Sequence, residues 1–200
     1  MTKLLSALVF LIPLSLAAQE EVVFKKVTVH GGFGGPFVEL TSIENQSGFL
    51  AGGGGGVILN SFFVGGFGQG GNFAMHSVNG NEYPLDFGFG GLWLGFTAPT
   101  LKSVHFYSSL KIGGGTVSLT QKGGNSEDPF YDDGVFVVQP EAGVEVNFFK
   151  WFRLALTVNY RLVNGVAHNN VGMLRNRDFN AAGMGLTFRF GKFYRSEANQ

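Results

Sequence analysis

The sequence predicts an all-β chain: an eight-stranded antiparallel up-and-down transmembrane β-barrel, preceded by a cleavable signal peptide. Three observations predict it. Strand-like runs alternate apolar and polar residues with a period of two. The connections between them alternate short and long. The composition is low in charge, rich in glycine and phenylalanine, and free of cysteine. Charged residues are 14% of the chain, against about 25% in ordinary globular proteins. Lys+Arg equals Asp+Glu, so nothing points to a nucleic-acid surface. Without cysteine an exported fold cannot be stapled by disulfides and must rest on burial or on a closed hydrogen-bond network.

The first element is a signal. Lys3 supplies a positive start, "LLSALVFLIPLSL" (4–16) is apolar, and "SLAA" offers small residues for cleavage after Ala17 or Ala18. The run is too short for a comfortable transmembrane helix. The expected organisation is therefore a signal peptide over 1–18, a barrel over 19–191 and a short periplasmic tail over 192–200. Export by the general secretory route to the outer membrane follows from this reading.

Strands are expected at Val27–Ser42, Gly48–Leu59, Phe62–Asn72, Leu85–Thr97, Ser103–Gln121, Val135–Phe148, Phe152–Val163 and Phe179–Phe190. No segment keeps the i, i+3, i+4 pattern of a helix over a dozen residues. Turns at Asn60–Ser61, 98–102 and 149–151 are short, whereas 72–84, 122–134 and 164–178 are long and polar. Sorting of this kind is what a membrane barrel shows, with turns periplasmic and loops extracellular. The connection "IENQSG" (43–48) is the one short loop on the extracellular side.

Alternation is clearest in the last three strands. Phe152, Leu154, Leu156, Val158, Tyr160 and Leu162 oppose Arg153, Ala155, Thr157, Asn159 and Arg161. Val138, Ala142, Val144, Val146 and Phe148 oppose Gln139, Glu141, Gly143, Glu145 and Asn147; Met184, Leu186, Phe188 and Phe190 oppose Gly185, Thr187 and Arg189. Each strand thus has one apolar and one polar face. Periodicity leaves open which face looks inward. A soluble, lipocalin-like ligand-binding barrel would put the apolar face inside, and a membrane barrel would reverse it.

Aromatics at the short-turn ends favour the reversal. Phe62, Phe63, Phe96, Phe148, Phe149, Trp151 and Phe152 are expected to form a periplasmic interfacial girdle. Centring the 149–151 hairpin on Lys150 sets Asn147 opposite Arg153, with Glu145 diagonal to it and within reach. The lumen is then expected to hold a charge network of Glu141, Glu145, Arg153, Arg161 and Arg189. Eight strands leave room only for side chains, so these charges are read as a plug, with a narrow channel for small solutes as the alternative. Glycines on the inner face make room for the charges; those on the outer face can sit beside aromatics that cover them.

The stretches "GGFGGPFVELTSI" (31–43), "GGGGGVILNSFFVGGFG" (52–68), "FFKWFRLALTVNYRLV" (148–163) and "GLTFRFGKF" (185–193) resemble the small outer-membrane β-barrel proteins of Gram-negative bacteria, of OmpA/OmpX-type architecture. Within these, the chain looks most like a group of short glycine-rich barrels. The resemblance implies a terminal strand read by the insertion machinery, ending at Phe190 or Phe193 with "GKFYRSEANQ" (191–200) following. It also implies contact with outer-membrane lipids, lipopolysaccharide included, a structural or surface-interaction role through the extracellular loops, and a monomer.

Candidate chemistry is sparse. His76, Ser77 and Glu82 are the residue types of a hydrolase triad, but spacing fixes no geometry. His168 in "AHNNVG" (167–172) resembles the His-x-Ser-Asn of lipid A deacylases, with Asn170 where the serine nucleophile belongs. A lipid-modifying enzyme is thus an alternative and not the expected reading. Glu127, Asp128, Asp132 and Asp133 are oxygen ligands of a kind that suits Ca²⁺, in a spacing that matches no EF-hand. They read as a solvated acidic loop. His105 reads as a lumen hydrogen-bonder. The glycine runs lack the Lys-Ser/Thr ending of a phosphate loop. No cofactor and no metal is expected.

Overall fold

Each predicted run becomes a strand, and each strand pairs antiparallel with its neighbours in sequence. The computed structural model describes residues 28–44, 46–78, 81–97, 103–120, 129–166 and 174–193. The strands are β1 (Val29–Ile43), β2 (Gln46–Leu59), β3 (Phe62–Val78), β4 (Asn81–Thr97), β5 (Val104–Thr120), β6 (Pro129–Phe149), β7 (Phe152–Asn164) and β8 (Ala181–Phe193), with a one-turn helix α1 (Asn176–Phe179) before the last. Pairing of β1 with β8, from Gly31 opposite Phe193 to Leu40 opposite Met184, closes the barrel. Closure leaves no sheet edge, so every strand has a partner on both sides.

Local chemistry sets the ends. Asn60 takes the left-handed conformation (φ 55°) that a two-residue hairpin requires. Its side-chain oxygen accepts from the Thr28 amide at 3.2 Å, and its own amide donates to the Thr28 carbonyl at 3.1 Å. That turn therefore ties down the entry of β1. Gly31 has φ 144°, and a Cβ there would lie 1.8 Å from the Lys192 carbonyl oxygen, so only glycine closes β1 onto β8.

The apolar faces of the alternation point outward. Val144, Leu156, Val158, Tyr160, Leu162, Met184 and Phe190 are exposed, while Glu141, Glu145, Arg161 and Arg189 are buried in the lumen. That orientation is opposite to a soluble ligand-binding barrel.

Four expectations need correction. Phe63 does not join the outer girdle: it is 2% exposed and faces the lumen, where its ring meets Phe33 edge-on at 5.0 Å. The reason is the period of two, because Phe62 and Phe63 are consecutive in a regular ladder and cannot share a face. Phe148 and Phe149 do both lie exposed, since the register slips between Asn147 and Phe149 and the bulge turns consecutive residues to one side.

Second, most of 72–84 is not loop. β3 and β4 pair as far as Val78 opposite Asn81, and the 129–134 part of the acidic segment pairs with β5. Polar residues on an antiparallel ladder that rises past the barrel read as loop by composition alone. Third, no aromatic covers outward Gly68, whose Cβ position has nothing within 4 Å. Fourth, β8 continues past 191 through Phe193.

Candidate functional site in the barrel lumen

The lumen carries its charges in three levels. Nearest the short turns, Arg153 on β7 and Arg189 on β8 are direct cross-strand partners. Like charges in that position repel, and Glu145 on β6 lies between them. Its Oε1 accepts from Arg153 Nη1 at 2.9 Å and from His105 Nε2 at 2.9 Å, and its Oε2 accepts from Arg189 Nη1. The Arg189 guanidinium also lies 3.7 Å over the Phe33 ring and 4.9 Å from that of Phe63, and Arg153 lies 4.0 Å over Phe193. Ring faces are negative and stabilise a desolvated guanidinium.

One level up, Lys111 Nζ pairs with Glu141 Oε1 at 2.8 Å, and the Ser109 hydroxyl donates to Glu141 Oε2 at 2.6 Å. Lys111 also donates to Gln69 Oε1 at 3.2 Å and stands 4.0 Å over the Phe37 ring. Gln69 and Gln139 then donate to Glu39 Oε2 at 3.2 and 2.8 Å. Neutral amides thereby link the two carboxylates across the barrel, which spreads their charge without adding any. Gly183 makes room here: a Cβ would stand 2.7 Å from Asn159 Oδ1 and 3.0 Å from Glu39 Oε1.

The third level lies at the end away from the short turns. Arg161 Nη1 stands 3.7 Å from Glu39 Oε1, its Nε donates to the Phe179 carbonyl at 3.0 Å, and its Nη2 donates to the Ser42 carbonyl at 2.9 Å. Residues 174–180 are thereby drawn toward the lumen, with Leu174 and Phe179 buried. Asn180 and Asn176 hold the same segment by accepting from the Val163 and Val166 amides at 2.7 and 2.9 Å.

The five expected lumen charges are all inside the barrel, but they are not one network of Arg and Glu alone. Arg153, Arg189 and Glu145 meet; Glu141 takes Lys111; Arg161 takes Glu39. Sequence reasoning missed Glu39 and Lys111, and the signal was present: Phe37, Glu39 and Thr41 fall on one face, as do Ser109 and Lys111. Much of the remaining filling is aromatic, with Phe33, Phe37, Phe63, Phe67, Phe87, Phe89, Trp93 and Tyr107 buried in the lumen. His105 is a lumen hydrogen-bonder.

Of the turn-end aromatics, Phe62, Phe148, Phe149 and Trp151 are exposed and Phe96 and Phe152 half-buried. Phe149 stacks on Trp151 at 5.5 Å, and Phe152 on Phe190 at 5.0 Å. Of the candidates for chemistry, His168, Asn170, Glu127 and Asp128 lie outside the described residues. The ladder sets Ser77 opposite Glu82 and His76 opposite Tyr83. Asp132 is exposed, and Asp133 accepts from the Tyr131 hydroxyl. Among the described residues no three His, Asp or Glu side chains gather as metal ligands would.

No protein-family model and no curated protein matches the sequence. Solved structures are similar to this chain. Neisserial surface protein A aligns with a TM-score of 0.56 at 11% identity, over 85% of this chain and 100% of that one. The N-terminal β-barrel domain of Pseudomonas aeruginosa OprF gives 0.46 at 13% identity, over 83% and 99%. The attachment invasion locus protein Ail of Yersinia pestis gives 0.40 at 12% identity, over 82% and 99%.

Proposed function

We propose that the chain is a monomeric integral outer-membrane barrel with a plugged lumen, acting structurally or by surface interaction through its extracellular end. The observation that carries this reading is the division of side chains. Apolar residues such as Leu156, Val158, Leu162 and Met184 are exposed on the outside, and Glu145, Arg161 and Arg189 are 0–1% exposed inside. In water that arrangement would waste the hydrophobic effect; in lipid it satisfies it.

Strand length supports the extracellular role. β3, β4 and β5 have 17 residues each and β6 has 21, whereas a tilted membrane strand needs about 9–11. At the turn end β3 and β4 are level, Phe62 pairing with Phe96, while β5 reaches only from Tyr107, the partner of Thr97, to Val104. The excess therefore projects from the opposite end, as the β3–β4 and β5–β6 hairpins, beside α1. On this reading the exposed aromatics at the turns sit at the periplasmic interface, the outer face meets the lipids, lipopolysaccharide included, and the insertion machinery places the barrel during export. Catalysis is not part of it.

The narrow channel is the reading to test against. Liposomes bearing the purified barrel and loaded with a small fluorescent dye should retain it as protein-free liposomes do. Rapid leakage that Arg153→Ala alters would replace the plug with a pore.

A further inference from the structure

The lumen charges do not balance, and the excess is at one place. Among the described residues the lumen holds Lys111, Arg153, Arg161 and Arg189 against Glu39, Glu141 and Glu145. Arg161 has Glu39 and Lys111 has Glu141, so two guanidiniums at the turn end share the single carboxylate of Glu145. His105 adds a third donor to that same carboxylate. A cation withdrawn from water is costly without a full counter-charge.

The donors left over point the same way. Arg189 Nε is buried and has no hydrogen-bond partner. The rings of Phe33 and Phe63 pack on Arg189 and that of Phe193 on Arg153, and Glu145 takes Nη1 of each, which leaves the other N–H groups on the guanidinium edges. Arg153 is the way in, because 19% of its side chain is exposed whereas those of Arg189 and Glu145 are sealed.

We propose that the turn end of the lumen binds one small oxyanion of the phosphate type, held by the edges of Arg153 and Arg189 and entering past Arg153. Guanidinium edges match a phosphate by paired, charge-assisted hydrogen bonds. The anion supplies the charge that Glu145 alone does not. The same chemistry has two sources at this end of the barrel, free phosphate or the headgroup of a phospholipid. The site itself stands on the barrel's interior and not on the proposed location.

The test is calorimetric titration of inorganic phosphate into the full barrel folded in a phosphate-free sugar detergent, with native mass spectrometry from phosphatidylglycerol nanodiscs as the second arm. One equivalent of phosphate should bind, with affinity reduced at least tenfold in Arg153→Gln and unchanged in Lys150→Gln, which removes an exposed charge from the adjacent turn. Arg153→Gln leaves the sealed Arg189–Glu145 pair in place, and an unaltered heat-dependent gel shift verifies that it folds. Retention of one phosphatidylglycerol, lost in Arg153→Gln, without phosphate binding assigns the headgroup as the source. Binding of neither, or equal binding to wild type and Arg153→Gln, overturns the site.

Discussion

Arg153 and Arg189 face each other directly across the β7–β8 ladder, and the carboxylate of Glu145 accepts from both. The arrangement makes Glu145 the residue on which the turn end of the lumen depends. Glu145→Gln leaves two opposed guanidiniums with no counter-charge, one of them sealed from solvent. Breaking a buried ion pair from one side costs about 3–5 kcal/mol. Urea unfolding in lipid vesicles should show a loss of that order, and the double variant Glu145→Gln, Arg189→Met should recover part of it. A Glu145→Gln barrel as stable as wild type would show that ring faces suffice for both arginines.

Gly95 and Gly68 differ in the room around them. A Cβ at Gly95 would stand 2.1 Å from the buried Phe63 ring, whereas one at Gly68 meets nothing within 4 Å. Overpacking costs about 1–3 kcal/mol, and an uncrowded strand alanine gains up to about 1 kcal/mol over glycine. Gly95→Ala should therefore destabilise, and Gly68→Ala should be neutral or stabilising, by the same unfolding assay.

The two tryptophans report opposite sides of the wall. Trp93 is 1% exposed in the lumen and Trp151 is 57% exposed at a turn. In brominated phospholipid vesicles the fluorescence of a Trp93→Phe variant, which retains Trp151, should be strongly quenched. That of a Trp151→Phe variant should not. Equal quenching of the two would mean that the wall does not separate lumen from lipid.

Arg161 ties the segment before β8 to β1 through the Phe179 and Ser42 carbonyls. Arg161→Met keeps the bulk and deletes those bonds. Limited proteolysis of folded barrel should then cut between residues 174 and 180 at least several-fold faster than in wild type, while the strands remain protected. An unchanged cleavage rate would assign the hold on this segment to Leu174, Phe179 and the asparagine contacts alone.

Much of the barrel was legible because one period governs it. The β6–β7 register, Asn147 opposite Arg153 with Glu145 in reach, follows from the turn and the alternation. What escaped did so where that period is not the controlling signal. Phe63 was misplaced by grouping aromatics by position along the chain and not by parity. Glu39 and Lys111 were passed over as single charges amid apolar residues, although parity puts both inside. The hairpin of residues 72–78 and 81–84 has strand geometry with a loop's composition, so composition alone reads it as loop. Phe179 and Ser42 hold Arg161 through their carbonyls, and no sequence pattern encodes a contact to a carbonyl.

Val158 separates the lipid from the aqueous reading energetically. It is 60% exposed at mid-strand, opposite Ala142 and Met184. Val158→Arg should cost about 2–4 kcal/mol if that position lies near the bilayer midplane, and within about 0.5 kcal/mol of nothing if it faces water.

Fractionation of cells producing the full chain, followed by gel electrophoresis of boiled and unheated samples, tests the central claim most directly. A closed membrane barrel resists detergent until heated, so the protein should appear in the outer-membrane fraction and change apparent size on boiling. Recovery in the soluble periplasmic fraction, with the same mobility heated or not, would contradict it.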